Sequence, residues 1–181
     1  MRKLRTMLGA VALGLVTSLV VTTAPADAAP THRAFRDERG NPNGIDIVRV
    51  RYVKGRMSPH PGSALGVMVK ARVRWNPSAA VNIFVNTDRD RRPERVISQQ
   101  GGWVGVYKTR GWRFGKLIKP RGPVPTGVSD MKRRRLWVFA HAKYLGRPKK
   151  VRIIVQSSDS GDYTSDWAPG RRKWSKPIRL R

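Results

Sequence analysis

The sequence contains no cysteine, which excludes disulfide staples, thiolate metal sites, cysteine nucleophiles and lipid attachment at a cleavage-site cysteine. Histidine is nearly as scarce. His32, His60 and His141 are the only three, too few and too scattered for a zinc hydrolase or a clustered metal site. Acidic side chains number 11 against 38 lysines and arginines, so the paired carboxylates of a glycosidase have few candidates, most of them in loops beside arginine. No Gly-x-Ser-x-Gly elbow is present: Gly62-Ser63-Ala64-Leu65-Gly66 is displaced by one position and leads into a strand. Ser129-Asp130-Met131-Lys132 satisfies Ser-x-x-Lys but lacks the helix start and the partner motifs that make it catalytic. The sequence thus offers no catalytic residues, no metal-ligand set and no cofactor site.

What is present begins with an export signal. Met1-Arg2-Lys3-Leu4-Arg5 is a positive n-region, Met7 to Val21 is an uncharged apolar run, and Ala26-Asp27-Ala28 places small residues at −3 and −1. Residues 1–28 therefore read as a signal peptide cleaved after Ala28, which leaves no stable transmembrane anchor. An uncleaved anchor is the competing reading, because Met7 to Ala24 approaches the ~18 to 20 residues that span a bilayer. The n-region has no Arg-Arg pair, so general secretion to the outside or the cell wall is expected. Three of the 38 basic and one of the 11 acidic side chains leave with the peptide, so the mature chain carries 35 and 10, a net charge of +25. Such a charge repels itself and attracts polyanions. An arginine-rich proteome would also produce it without a dedicated ligand.

Residues 29–44 are polar and rich in turn formers and read as a flexible N-terminal arm. Residues 45–181 then form one domain. Ile47 to Val53 sets Val48, Val50 and Tyr52 against Arg49 and Arg51, the period-two alternation of a strand with one wet side. Leu65, Val67, Val69, Ala71, Val73 and Trp75 alternate with Gly66, Met68, Lys70, Arg72 and Arg74 over eleven positions. Val81, Ile83 and Val85 alternate with Asn82, Phe84 and Asn86, and Thr87 to Pro93 is a charged loop. Shorter strands are expected at Arg95 to Ser98, Trp103 to Lys108 and Trp112 to Ile118. Lys119 to Asp130, crowded with proline and glycine, reads as a break. Leu136 to Lys143, apolar on both faces, reads as a central strand, and Val151 to Gln156 resumes strand character after it. With no helical periodicity beyond two turns after the leader, the prediction is an all-β antiparallel sandwich of about eight or nine strands.

Leu145-Gly146-Arg147-Pro148, Asp166-Trp167-Ala168-Pro169-Gly170 with Trp174, Ile45-Asp46-Ile47 and Val85-Asn86-Thr87-Asp88 together give the chain a further likeness. It resembles a family of small secreted actinobacterial proteins that look like sandwiches of the DOMON or family-9 carbohydrate-binding type. The resemblance implies the same fold over most of residues 45–180 and no enzymatic activity. Related sandwiches bind sugars, haem or calcium. None of these transfers without its binding residues: Asp88 and Asp90 form an Asp-x-Asp, but Arg89, Arg91 and Arg92 interleave them, so they read as turn residues paired with arginine. His141, beside Trp137 and Phe139 on one strand face, reads as a packed or edge histidine.

Positive charge is what concentrates. If the apolar faces of the first two strands point inward, Arg49, Arg51, Lys70, Arg72 and Arg74 share an outward face able to track a phosphate or carboxylate polymer. Lys132, Arg133, Arg134 and Arg135 add a cluster near a strand end. Outward strand positions must in any case be polar, and basic residues also protect sheet edges. The expected function is a secreted, non-catalytic module that associates with an anionic cell-wall polymer or polysaccharide, with carbohydrate also open. Extracellular nucleic acid is the second candidate partner and an unrecognised hydrolase the third reading.

Overall fold

A computed structural model of the protein describes residues 33–36, 45–57, 60–75, 78–122, 124–158 and 165–180. Residues 1–28, read from the sequence as a signal peptide, and most of the expected arm lie outside the described residues. Twelve strands and one short 3-10 helix are described: β1 Arg33–Phe35, β2 Ile47–Met57, β3 His60–Ala71, β4 Ala80–Asn86, β5 Arg95–Gln100, β6 Trp103–Arg110, β7 Arg113–Leu117, β8 Thr126–Asp130, β9 Arg135–His141, β10 Lys150–Ser158, β11 Ser165–Ala168 and β12 Ile178–Arg179. The helix, Ala142–Leu145, follows β9 directly.

The strands form two antiparallel sheets, one in the order β1-β2-β3-β9-β8 and the other β11-β10-β4-β5-β6-β7, with β12 pairing β10 beside that path. The architecture is the all-β sandwich that the alternation predicts. Period two divides each strand into an inward and an outward set. Val50 and Tyr52, Leu65, Val67, Val69 and Ala71, and Leu136, Val138 and Ala140 line the inner face of the five-stranded sheet. Opposite them stand Val81, Ile83 and Val85, with Ile97, Val106, Val151, Ile153 and Val155, in one continuous core. Among the described residues, no helix is long and apolar enough to cross a membrane.

The seven-stranded sheet carries an apolar patch on its outer face as well. Phe84, Val96 and Ile154 are buried there beneath Tyr107, Trp112, Trp167 and Trp174. The rings interlock: Phe84 stacks on Trp167 at 5.6 Å, Trp112 stacks on Trp174 at 5.6 Å, and Trp112 meets Trp167 edge-on at 6.0 Å. These tryptophans therefore build a second small core rather than an open platform.

Two inward polar residues tie the sheets together at one end. Ser157 of β10, fully buried, donates to the Ile45 carbonyl at 2.6 Å, and its cross-strand partner Asp166 of β11, 1% exposed, accepts the Ile47 amide at 2.6 Å.

Several expectations need correction. Arg33–Phe35, inside the stretch read as an arm, pairs with Val50 to Tyr52 as β1. Val48 does not share the inner face with Val50: the register shifts between Ile47 and Arg49, so Ile47 takes the buried place. The second strand ends at Ala71, not Trp75, and Val73 is 48% exposed. The break at Lys119 to Asp130 holds the edge strand β8.

Candidate functional site

In an antiparallel pair, residues directly opposite each other share a face. Arg49 of β2 stands opposite Lys70 of β3, and Lys70 stands opposite Arg135 of β9. The outer face of the five-stranded sheet thus carries a row of three cations in register. Like charges so placed raise the energy of the folded state. The row ends at Asp130, opposite Arg135, whose carboxylate accepts the Arg133 amide at 2.9 Å and lies 3.7 Å from the Arg133 guanidinium. Nε of Arg49 and Nε of Arg135 are covered and make no hydrogen bond.

One step along the strands the face turns aromatic. Arg51 lies opposite Met68, Met68 opposite Trp137 and Trp137 opposite Val128; then Val53, Gly66, Phe139 and Thr126 follow in register. Trp137 and Phe139 are half-buried, with rings 5.8 Å apart and within 5° of parallel. Gly66 makes room for them. A Cβ there would stand 2.8 Å from the Phe139 ring and 3.2 Å from Val53. Gly66→Ala is therefore expected to displace Phe139 and cost about 1 to 3 kcal/mol of stability, measured by urea unfolding; a cost near zero would mean that the ring is not held against the sheet.

Of the cations expected on this face, Arg49, Arg51 and Lys70 are there, and Arg135 joins them. Arg72 is not: beyond the end of β3, its Nε is ion-paired with Asp46 at 2.5 Å, and its carbonyl accepts from Arg134 Nη1 at 2.5 Å. Arg74 is exposed in the segment after the strand. Lys132, Arg133 and Arg134 form the exposed turn between β8 and β9, at the end of the sheet where the cation row lies. Trp137 and Phe139 went unassigned as site residues. The signal for them was the alternation in β9, which puts both on the face of Arg135.

Asp88, Asp90 and Glu94 bring carboxylate oxygens within 4.8 Å of one another. The turn reading of Asp88 and Asp90 agrees with their bonds: Asp88 accepts the Asp90 amide at 3.0 Å, and Asp90 accepts the Arg92 amide at 2.6 Å. The expected pairing with arginine is not found, since the ion pairs among the described residues are Arg72–Asp46 and Arg133–Asp130. Burial raises the Glu94 pKa above its ordinary 4.5; bonds from the Thr87 amide and hydroxyl oppose the shift, and Asp88 adds to it. The ionised form is thus disfavoured in the fold, and stability should fall as pH rises from the ordinary value through the raised one. Glu94→Gln is expected to unfold at a higher temperature than the parent at pH 7 and to lose the advantage near pH 4. A parent whose unfolding temperature does not change across that window would contradict this.

His141 is packed, its Nδ1 accepting the Lys143 amide at 3.2 Å. The Ser-x-x-Lys residues lie in β8 and the following turn, and the Gly62–Gly66 stretch lies within β3, so neither has a catalytic setting. No family model matches the chain, and no curated protein or solved structure matches it either.

Proposed function

We propose that the protein is an exported, non-catalytic binding module that holds an anionic, ring-containing polymer of the cell envelope against the outer face of its five-stranded sheet. The observation that carries this reading is the row Arg49, Lys70, Arg135 running beside the parallel Trp137–Phe139 pair. Cations held in register without intervening acids gain most from a partner that supplies negative charge. Arginine offers a carboxylate or phosphate a bidentate fork, and aromatic faces take up the apolar side of a ring. Export through residues 1–28 and kinship with the secreted DOMON-type sandwiches belong to the same proposal.

The experiment is retention on isolated cell-wall material across a salt series. Because counterion release drives such binding, salt should elute the protein; retention unchanged at high salt would remove the electrostatic mechanism. Bases also stack on aromatic side chains, so single-stranded DNA at matched salt is the second arm. The proposal expects a phosphodiester or uronate wall polymer to bind more tightly than DNA, and the reverse order would favour a nucleic-acid partner.

A further inference from the structure

A second basic site stands on the other sheet, independent of the outer face just described. A pocket of about 430 Å³ opens where the β4–β5 loop meets the start of β10, with Asn86 and Thr87 on one side and Pro148 and Pro177 on the other. Four cations line it: Arg89, Lys149, Lys150 and Arg152. No carboxylate does. Arg179 stands opposite Lys150 in the β10–β12 pair and adds a fifth positive charge nearby.

The pocket is built rather than incidental. Asn86, 1% exposed, organises it from beneath. Its Nδ2 donates to the Asp90 and Arg92 carbonyls at 2.8 and 2.9 Å, and its Oδ1 accepts the Arg89 amide and Arg152 Nη2, both at 3.0 Å. Arg152 Nη2 also donates to the Asp90 carbonyl at 2.9 Å, and the guanidinium lies 5.7 Å from the centre of the Trp174 ring. Arg152 is thereby fixed in place before any ligand arrives. The loop holds Arg89 at a φ of 80°, a left-handed conformation that strains a non-glycine residue.

We infer that this pocket binds a phosphate ester, its oxyanion held by Arg89, Lys149, Lys150 and Arg152 and the rest of the molecule occupying the remaining volume. Four cations lining one pocket with no carboxylate among them favour a doubly charged phosphate over a singly charged carboxylate. The space falls in the range of sites for small organic molecules, well above what a bare ion needs.

Titration calorimetry at constant ionic strength tests this with three probes: glycerol 3-phosphate, inorganic phosphate and glucuronate. Saturable binding is expected for glycerol 3-phosphate, weaker for inorganic phosphate and weakest for glucuronate. Arg89→Gly removes a cation while relieving the backbone, so it should leave the unfolding temperature equal or higher and weaken glycerol 3-phosphate by about tenfold. The double variant K149A/K150A should weaken it further. Substituting Arg49 and Arg135 on the opposite sheet should leave this affinity unchanged, which separates the pocket from the outer face. Absence of saturable binding, or binding insensitive to the pocket substitutions, would overturn the inference; equal affinity for all three probes would overturn its phosphate selectivity.

Discussion

Asp166→Ala should lower the unfolding free energy by about 2 to 4 kcal/mol, more than any surface substitution in this chain. The carboxylate is 1% exposed and accepts the Ile47 amide at 2.6 Å and the Trp167 amide at 2.8 Å. Hydrogen bonds to a charged acceptor contribute about 1.5 to 3 kcal/mol each, and their loss leaves buried N–H groups unpaired. Relief from burying the charge offsets part of that sum. The effect is also topological: Ile47 sits at the bulge that decides which residues of β2 face inward. Asp166→Asn retains one acceptor oxygen and should lose less. Urea unfolding at pH 7 measures both, and an alanine variant within about 0.5 kcal/mol of the parent would show that this link does not hold the sheets together.

The sandwich was legible because burial between two sheets writes itself into sequence as period-two alternation, and β3 and β4 carry that pattern plainly. What escaped has particular causes. β8 reads Thr-Gly-Val-Ser-Asp, an edge strand whose single apolar side chain, Val128, is exposed, so no alternation marked it. Val48 lost its expected place to a one-residue bulge, which reverses the phase of alternation without changing composition. Arg72 and Arg74 were assigned to the face by extending a strand past its end at Ala71; Trp75 is buried as expected, but it reaches the core from outside the strand. The cation row was half visible. Arg49 and Lys70 lie on outward positions of their own strands, yet their being opposite each other depends on pairing register, which local sequence does not encode. The same holds for Trp137 and Phe139, whose apolar character suggested a doubly buried strand. They are partly exposed because nothing among the described residues packs over that face as the tryptophans pack over the other sheet. The basic pocket was still less legible, since Arg89 and Arg152 are 63 positions apart and meet through Asn86.

Replacing Arg49, Lys70 and Arg135 together by alanine should weaken binding to an anionic wall polymer by at least about tenfold at low salt, without destabilising the fold. Three phosphate contacts give a salt exponent of about 2 to 3, so these residues alone account for an affinity drop of about 15- to 65-fold between about 50 and 200 mM salt. Removing cations that repel one another relieves strain in the folded state, so lost binding with an unchanged or raised unfolding temperature points to lost contacts. Trp137→Ala should act differently, lowering affinity at every salt concentration and leaving the exponent as it was, because stacking displaces no counterions.

The most direct measurement is the slope of log affinity against log salt for a phosphodiester wall polymer, determined for the parent and for the triple variant. A steep negative slope in the parent that becomes shallower by about 2 to 3 in the variant is the predicted result. Equal slopes in the two proteins, or a flat slope in the parent, would contradict the assignment of the outer face of the five-stranded sheet as the site where the polymer binds.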